Sequence, residues 1–141
     1  MDFRLEVVQV PVADVDRAKA FYTEQAGFHA DHDTQLGDAM RVVQLTPPGS
    51  ACSIVIGTGI SDMEPGSVKG LQLCVADAAA ARAELISRGV EASELTSFGD
   101  QDGSTFFGFA DPDGNTWAVQ ELKVRGEKPL IPAEARGRFG A

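Results

Sequence analysis

Three glutamines and one serine are the residues whose types and positions point most directly to a chemical role. Gln9, Gln72 and Gln120 each lie in a strand-like segment, and Ser53 begins another. Amides and hydroxyls donate and accept hydrogen bonds without titrating near neutral pH, so they orient a ligand and do not act as ordinary general acids or bases. These residues therefore predict ligand binding, or else hydrogen bonding to one another and to buried water.

Aromatic side chains and one arginine extend the predicted binding site. Phe107 and Trp117 offer the flat apolar surface that suits a partly polar organic ligand. Arg41 opens the matching strand of the first half of the chain, where it could meet an anionic group. The polar, glycine-rich loop "TSFGDQDGS" (96–104) precedes the aromatic segment, and we expect it to form a mouth or lid.

The histidines form a weaker candidate for metal chemistry. Both lie in "FHADHD" (28–33), together with Asp31 and Asp33. Because His29 and His32 have neither a helical context nor a third distant ligand, we interpret this segment as a polar turn and short strand with solvated side chains. A metal site assembled from these histidines and distant acidic residues stays open as the alternative.

Two further patterns are interpreted as structural. The segment "DPDGN" (111–115) begins like a calcium loop, but the sixth and twelfth positions hold Thr116 and Leu122 where an EF-hand needs Gly and Glu. It is therefore predicted to be a β-turn. Cys52 and Cys74 lie in apolar segments without nearby His or Lys, which predicts two small buried residues and no disulfide.

The elements that must position these residues occur twice. The segment "VVQVPVADVDRAKAFY" (7–22) matches "GLQLCVADAAAARAEL" (70–85) at a constant offset of 63, each with a strand, an Asp N-cap and an Ala-rich helix. A short strand and a hairpin follow in both halves. The sequence predicts one α+β domain over 1–141, with module one at about 1–57, a linker at 58–67, module two at about 68–122 and a tail at 123–141.

The two βαβββ modules are expected to form an open, cup-shaped mixed sheet with helices on the outer face, since neither module closes a core alone. Strand alternation turns Gln9, Gln72, Ser53 and Gln120 towards the cup. Sequence alone leaves open whether the modules pair within one chain or between two chains.

Charge and hydropathy exclude several function classes. The chain has 12 basic and 21 acidic residues among 141, a net charge of −9, which disfavours nucleic acid and anionic membrane surfaces as partners. No apolar run approaches the roughly 20 residues of a membrane span. The N-terminal segment "MDFRLEVVQV" does not resemble a signal peptide, so the expected location is the cytoplasm.

The motifs "VPVADVDRAKAFY" and "FADPDGNTWAVQE", together with the duplication, resemble the vicinal oxygen chelate superfamily of glyoxalase I, extradiol dioxygenases and bleomycin-binding resistance proteins. Enzymes of that family hold one divalent metal on residues from the first and last strands of each half. The resemblance carries these positions to Val7, Ser53, Gly70 and Ala118, which offer no carboxylate, imidazole or thiolate. No metal or other cofactor is therefore expected.

The leading prediction is a metal-independent protein that sequesters an aromatic or heterocyclic compound, such as an antibiotic, and the resemblance implies a homodimer. The alternative is an enzyme of the same fold, a lyase, isomerase or transferase acting on a small organic substrate. It would be metal-independent or would use His29 or His32 as metal ligands. A purely structural interaction module is disfavoured because nothing in the sequence indicates a large exposed apolar surface.

Overall fold

The computed structural model describes residues 1–126 and contains two modules with the same order of elements. Module one consists of β1 (Val7–Gln9), α1 (Val15–Ala20), β2 (His29–Leu36), β3 (Met40–Thr46) and β4 (Ser53–Thr58). Module two consists of β5 (Leu71–Val75), α2 (Ala78–Ser87), β6 (Thr96–Ser97), β7 (Thr105–Ala110) and β8 (Thr116–Glu121). The predicted α+β class built from two βαβββ modules is confirmed.

Each module forms one mixed four-stranded sheet, with strand orders β1-β4-β3-β2 and β5-β8-β7-β6. The first and last strands of each module pair in parallel, and the other pairs are antiparallel. Because alternate residues of a strand point to opposite faces, each sheet has a core face and a polar face. The polar face of sheet one carries Val7, Gln9, Gln44, Thr46 and Ser53; that of sheet two carries Gln72, Cys74, Phe106, Ala118 and Gln120.

Both helices begin after the aspartate N-caps that the sequence predicts. Asp14 and Asp77 cap them, with side chains that accept hydrogen bonds from the backbone N–H of Arg17 and Ala80, both at 3.0 Å. Helix α1 continues as a π-helical turn, Phe21–Gln25, and the chain then leaves it through Gly27 at φ +80°. That left-handed conformation favours glycine.

Helix α1 lies between the two sheets. Val15 and Ala18 are buried, and the helix packs on β4 of sheet one. On its other side the rings of Phe21 and Tyr22 lie 6.3 Å from Phe109 and 5.9 Å from Trp117 of sheet two. The core faces of both sheets therefore share one hydrophobic cluster, and the polar faces point away from it.

The DPDGN turn joins the modules through buried hydrogen bonds. The Asp111 carboxylate accepts from the Tyr22 hydroxyl at 2.7 Å and from the Asn115 amide at 2.8 Å. Asn115 is fully buried and donates from Nδ2 to the Pro11 carbonyl oxygen at 2.8 Å. Burial, reinforced by Asp111, raises the pKa of Tyr22 far above its ordinary value. The segment predicted to be a β-turn is a turn, and its side chains also connect the two halves of the chain.

Two features differ from, or lie beyond, the expectation. Strand β2 runs over eight residues, longer than the predicted short strand, and the pairing register shifts between Ala30 and His32. Of the tail, only the 3₁₀ turn Lys123–Gly126 belongs to the described residues, so the rest of the prediction for 123–141 falls outside them. No helix within residues 1–126 has the length and apolar character that a bilayer span requires.

Candidate functional site

The polar face of sheet two holds a connected group of neutral hydrogen-bonding side chains. Gln72 donates from Nε2 to Oε1 of Gln120 at 2.7 Å, and the Cys74 thiol lies 3.6 Å from the same oxygen. Gln120 in turn donates to the Gly103 carbonyl oxygen at 2.8 Å, which ties the face to the loop 96–104. Gln72 and Cys74 are exposed. This arrangement fixes the orientation of two amides beside the small side chain of Ala118.

The aromatic residue on this polar face is Phe106. It is opposite Gln120 in the β7–β8 register, and its ring lies 6.0 Å from the exposed ring of Phe98 in the adjoining loop. These two rings supply the flat apolar surface that sequence reasoning had sought elsewhere, next to amides that give orientation.

Phe107 and Trp117 require a correction, because the structure places both in the hydrophobic core. They are 4% exposed, and both lie on the face opposite to Ala118 and Gln120. The Trp117 indole donates to the Tyr22 hydroxyl at 3.0 Å. Strand alternation already contained this result, since Trp117 and Gln120 are an odd number of residues apart and cannot share a face of a regular strand.

The polar face of sheet one holds a buried cluster centred on Thr46. Its hydroxyl contacts the Ser53 hydroxyl at 2.6 Å and donates to Oδ2 of Asp31. The Gln44 amide donates to the same Asp31 oxygen at 3.2 Å and to Ser53 at 3.4 Å. Oδ1 of Asp31 is buried without a hydrogen bond among the described residues, with Nε2 of His29 at 3.8 Å. This cluster surrounds Ser53 with polar groups.

The prediction of solvated side chains in the segment 28–33 is corrected at Asp31. The Asp31 side chain is fully buried, and the His32 imidazole has a buried Nδ1, although the His29 side chain is 61% exposed. The cause is the register shift between Ala30 and His32, which makes Asp31 the extra residue of a β-bulge and directs it towards Thr46. The signal available in the sequence was the pair of hydroxyl residues Thr46 and Ser53, which end β3 and begin β4 and so form a polar environment for a carboxylate.

Gln9 lies at the edge of the same polar face, next to the linker. Its side chain is exposed and donates to the Ile60 carbonyl oxygen at 3.3 Å. It lines a shallow depression with Gly59, Ser61 and Asp62. The structure therefore brings Gln9 beside the linker, whereas Gln72 and Gln120 meet on the other sheet.

The prediction that Arg41 meets an anionic group of the ligand is also corrected, because its side chain lies on the core side of sheet one. Arg41 is two residues from the buried Val43 in β3, so the two side chains share a face. Arg41 donates to Asp33 at 2.9 and 2.7 Å and to Asp16 of α1 at 2.7 Å. The hydrogen bonds from Arg41 hold the pKa of Asp33 well below its usual range. Two carboxylates already bind this guanidinium, so it is not placed to meet a ligand on the polar face.

Replacing Asp33 by Asn is expected to remove stability at neutral pH but not in acid. A lowered pKa in the folded state gives stability that is fully present above the ordinary value near 3.8 and is lost as the pH falls below it. Since the Asp33 side chain is 26% exposed, solvent screens the pair, and we expect a loss of about 1 kcal/mol or less at neutral pH. Urea unfolding from about pH 7 to about pH 2 should show the two proteins converging; a constant difference would contradict the assignment.

The positions that the family uses for its metal do not form a metal site here. Val7 is opposite Ser53 in the β1–β4 register. In module two, Ala118 is opposite Gln72, which lies two residues after Gly70. Within residues 1–126, no group of three or more His, Cys, Asp or Glu is arranged to hold a metal ion. The donor set of an alkyl group, a hydroxyl, a glycine and a methyl group does not fit a divalent cation.

The cysteines have different environments. Burial raises the pKa of the Cys52 thiol, and the charge of Glu6 adds to the effect, so the reactive thiolate is disfavoured. Cys52 is half-buried and Cys74 is exposed on the polar face of sheet two, so the prediction that both cysteines are buried is corrected. The two thiols are free, as the sequence predicts.

Two βαβββ modules, each with one mixed four-stranded sheet, are the architecture of the vicinal oxygen chelate fold. The chain belongs to the Glyoxalase/Bleomycin resistance protein/Dioxygenase superfamily, whose family model matches residues 4–119. None of the curated proteins compared with this chain matches it.

Solved structures give more specific relatives. TnmS3, an antibiotic binding protein from Streptomyces sp. CB03234, is 34% identical with a TM-score of 0.74 over 86% of this chain and 97% of its own. A glyoxalase/bleomycin resistance protein from the same organism is 35% identical with a TM-score of 0.71 over 84% and 100%. A superfamily member from Sphaerobacter thermophilus DSM 20745 is 27% identical with a TM-score of 0.73 over 85% and 98%.

Proposed function

We propose that this protein binds a small aromatic or heterocyclic compound, such as an antibiotic, and releases it chemically unchanged. The observation that carries the proposal is the polar face of sheet two, where Gln72 and Gln120 are held in register beside Phe106. The similarity to TnmS3, an antibiotic binding protein, supports the same function class. Apart from the Cys74 thiol, the side chains of this face are neutral groups that do not titrate near neutral pH, so orientation and sequestration are the chemistry it favours.

Two copies of the chain are proposed to form the binding site together. The polar faces of both sheets point away from α1. Within residues 1–126, side chains on the helix side and in the turns make the hydrogen bonds that join the modules, such as those of Arg17, Tyr22 and Asn115. A polar face of one copy can therefore be covered by a polar face of another. The exposed apolar row Phe3, Leu5 and Val7, at 90%, 74% and 44% exposure, leads into β1 and gives such an interface its hydrophobic part.

Native mass spectrometry with a library of aromatic antibiotics tests both parts of the proposal. We expect a dimer that retains ligand of unchanged mass and loses it when Gln120 is replaced by Leu. Gln35→Leu is the matched control, because Gln35 is exposed and shares the opposite face of sheet one with Arg41. Conversion of any bound compound to a product would overturn the binding function, and a ligand-bound monomer would overturn the shared site.

Divalent metals are expected to leave the stability of this protein unchanged. A ligand that binds the native state raises the melting temperature by mass action, so a filled metal site would be visible in a thermal melt. Metal-stripped protein should melt at the same temperature with and without Ni²⁺, Zn²⁺, Mn²⁺ or Fe²⁺, and elemental analysis should find no stoichiometric metal. A clear increase with one metal per chain would contradict this and would direct attention to His29 and Asp31.

A further inference from the structure

A cavity lies beneath helix α2, on the side of sheet two that faces the hydrophobic core. It has a volume of about 250 Å³. We call it the α2 cavity. Its walls are mainly apolar and include Phe28, Leu73, Leu85, Phe109 and Val119, and Arg88 lies at its edge. Gln72, Ala118 and Gln120 point to the opposite face of the sheet and do not line it, whereas Cys74, near the end of β5, contributes to its wall.

The internal duplication explains why the cavity exists. At the offset of 63, Phe21 and Tyr22 of the first half correspond to Glu84 and Leu85 of the second. The two rings fill the space beside α1, with Phe21 at 7% and Tyr22 at 0% exposure. Glu84 is exposed and Leu85 is only half-buried, so α2 fills the equivalent space less completely.

The surrounding turns follow the same correspondence. Tyr22 reaches the DPDGN turn through its hydrogen bond to Asp111. At the equivalent place beside Leu85, the turn of the first module contributes Pro47 and Pro48 to the cavity wall. The α2 cavity therefore results from two smaller side chains in the second half of the chain.

The edge of the cavity offers hydrogen-bond donors. The Nη2 atom of Arg88 donates to Glu84 at 2.7 Å, while Nε and Nη1 make no hydrogen bond among the described residues. The guanidinium lies against Gly27, where a Cβ atom would collide with Nη1, so glycine at this position leaves room for it. Each bidentate face of a guanidinium pairs one N–H of Nη2 with the N–H of either Nε or Nη1. Glu84 accepts from one of the two Nη2 hydrogens, so one such face of Arg88 remains able to bind a carboxylate.

We propose that the α2 cavity binds a compact aromatic carboxylate, with its ring against Leu85 and Phe109 and its carboxylate on Arg88. An apolar cavity of about 150 Å³ accepts a benzene ring, so the volume here suits one ring with a short substituent. The site is independent of the polar faces and of the compound bound there, because it lies on the other side of sheet two.

Fluorine NMR with 4-fluorobenzoate tests the site in the full-length wild-type chain. We expect saturable binding, about tenfold tighter than binding of 4-fluorobenzylamine, whose cation cannot accept from Arg88. Glu84→Gln should strengthen benzoate binding by removing a like charge, while its amide oxygen can still accept from Nη2. Arg88→Met should abolish the preference for the carboxylate.

Leu85→Tyr provides the filling variant, because it introduces at this position the residue type found at Tyr22. It should melt at or above the wild-type temperature and lose 4-fluorobenzoate binding. Gln120→Leu, altered on the other face of the same sheet, serves as the location control and should bind 4-fluorobenzoate as wild type does. Absence of saturable binding by wild type, retention of wild-type binding in Leu85→Tyr, an unchanged preference for the carboxylate in Arg88→Met, or loss of binding in Gln120→Leu would each overturn the proposal.

Discussion

Asp111→Ala is expected to lower the free energy of unfolding by about 3 kcal/mol or more, because buried donors lose their acceptor. Asp111 is 5% exposed and accepts from the Tyr22 hydroxyl, from the Asn115 side chain, and from the backbone N–H groups of Asp113 and Asn115 at 2.9 and 3.0 Å. Since Asn115 also holds Pro11 and the backbone N–H of Val68, loss of Asp111 loosens the junction between the modules. Urea unfolding at neutral pH measures the change.

A double-mutant cycle separates this network from a general effect of the substitution. Tyr22→Phe removes one donor, so part of the cost of Asp111→Ala should disappear when the two changes are combined. Asp62→Ala is the matched control, because Asp62 is exposed in the linker, and it should change the stability by about 0.5 kcal/mol or less. A cost below about 1 kcal/mol for Asp111→Ala would show that the turn does not connect the modules as described.

Truncation of the adjacent residues Phe106 and Phe107 should affect different properties, ligand affinity for Phe106 and folding stability for Phe107. Phe107 is 4% exposed in the core, so Phe107→Ala is expected to cost about 3–5 kcal/mol of unfolding free energy. Phe106 is half-buried on the polar face beside Phe98. Phe106→Ala should therefore cost much less stability and should weaken binding of the aromatic ligand about tenfold or more.

The pair forms its own control, since both changes remove the same side chain from consecutive positions of β7. Unfolding by urea measures the stability of each variant, and titration with a compound found in the native mass spectrometry screen measures affinity. Equal loss of stability in the two variants would contradict the assignment of faces. Unchanged affinity in Phe106→Ala would remove Phe106 from the proposed site without affecting its structural description.

Local patterns in the sequence were sufficient to predict the helices and strands and their order along the chain. The repeat at offset 63 predicts two similar modules, and Asp14 and Asp77 cap helices because a short carboxylate reaches the first backbone N–H groups. The hairpin around DPDGN follows from its turn residues. These features depend on contacts between residues close in the chain, or on a duplication that can be read directly from the sequence.

The pairing of amides on one face of sheet two depends on register, which the sequence constrains only partly. Gln72 and Gln120 were predicted to point the same way, and the structure adds that they are hydrogen-bonded to each other. Phe107 and Trp117 were predicted to line the binding site because they are aromatic. The alternation of side chains along β7 and β8 instead places both on the core face of the sheet.

The sequence by itself determined the duplicated architecture, the acidic charge and the loss of metal-binding residue types at Val7, Ser53, Gly70 and Ala118, because each is a property of residue identity and spacing. Only the tertiary structure decided that Asp31 is buried beside Thr46, that Arg41 is bound by Asp33 and Asp16, and that a cavity lies under α2. The physical reason is that a single bulge reverses which way a side chain points, and that a cavity depends on how residues distant in the chain fill shared space.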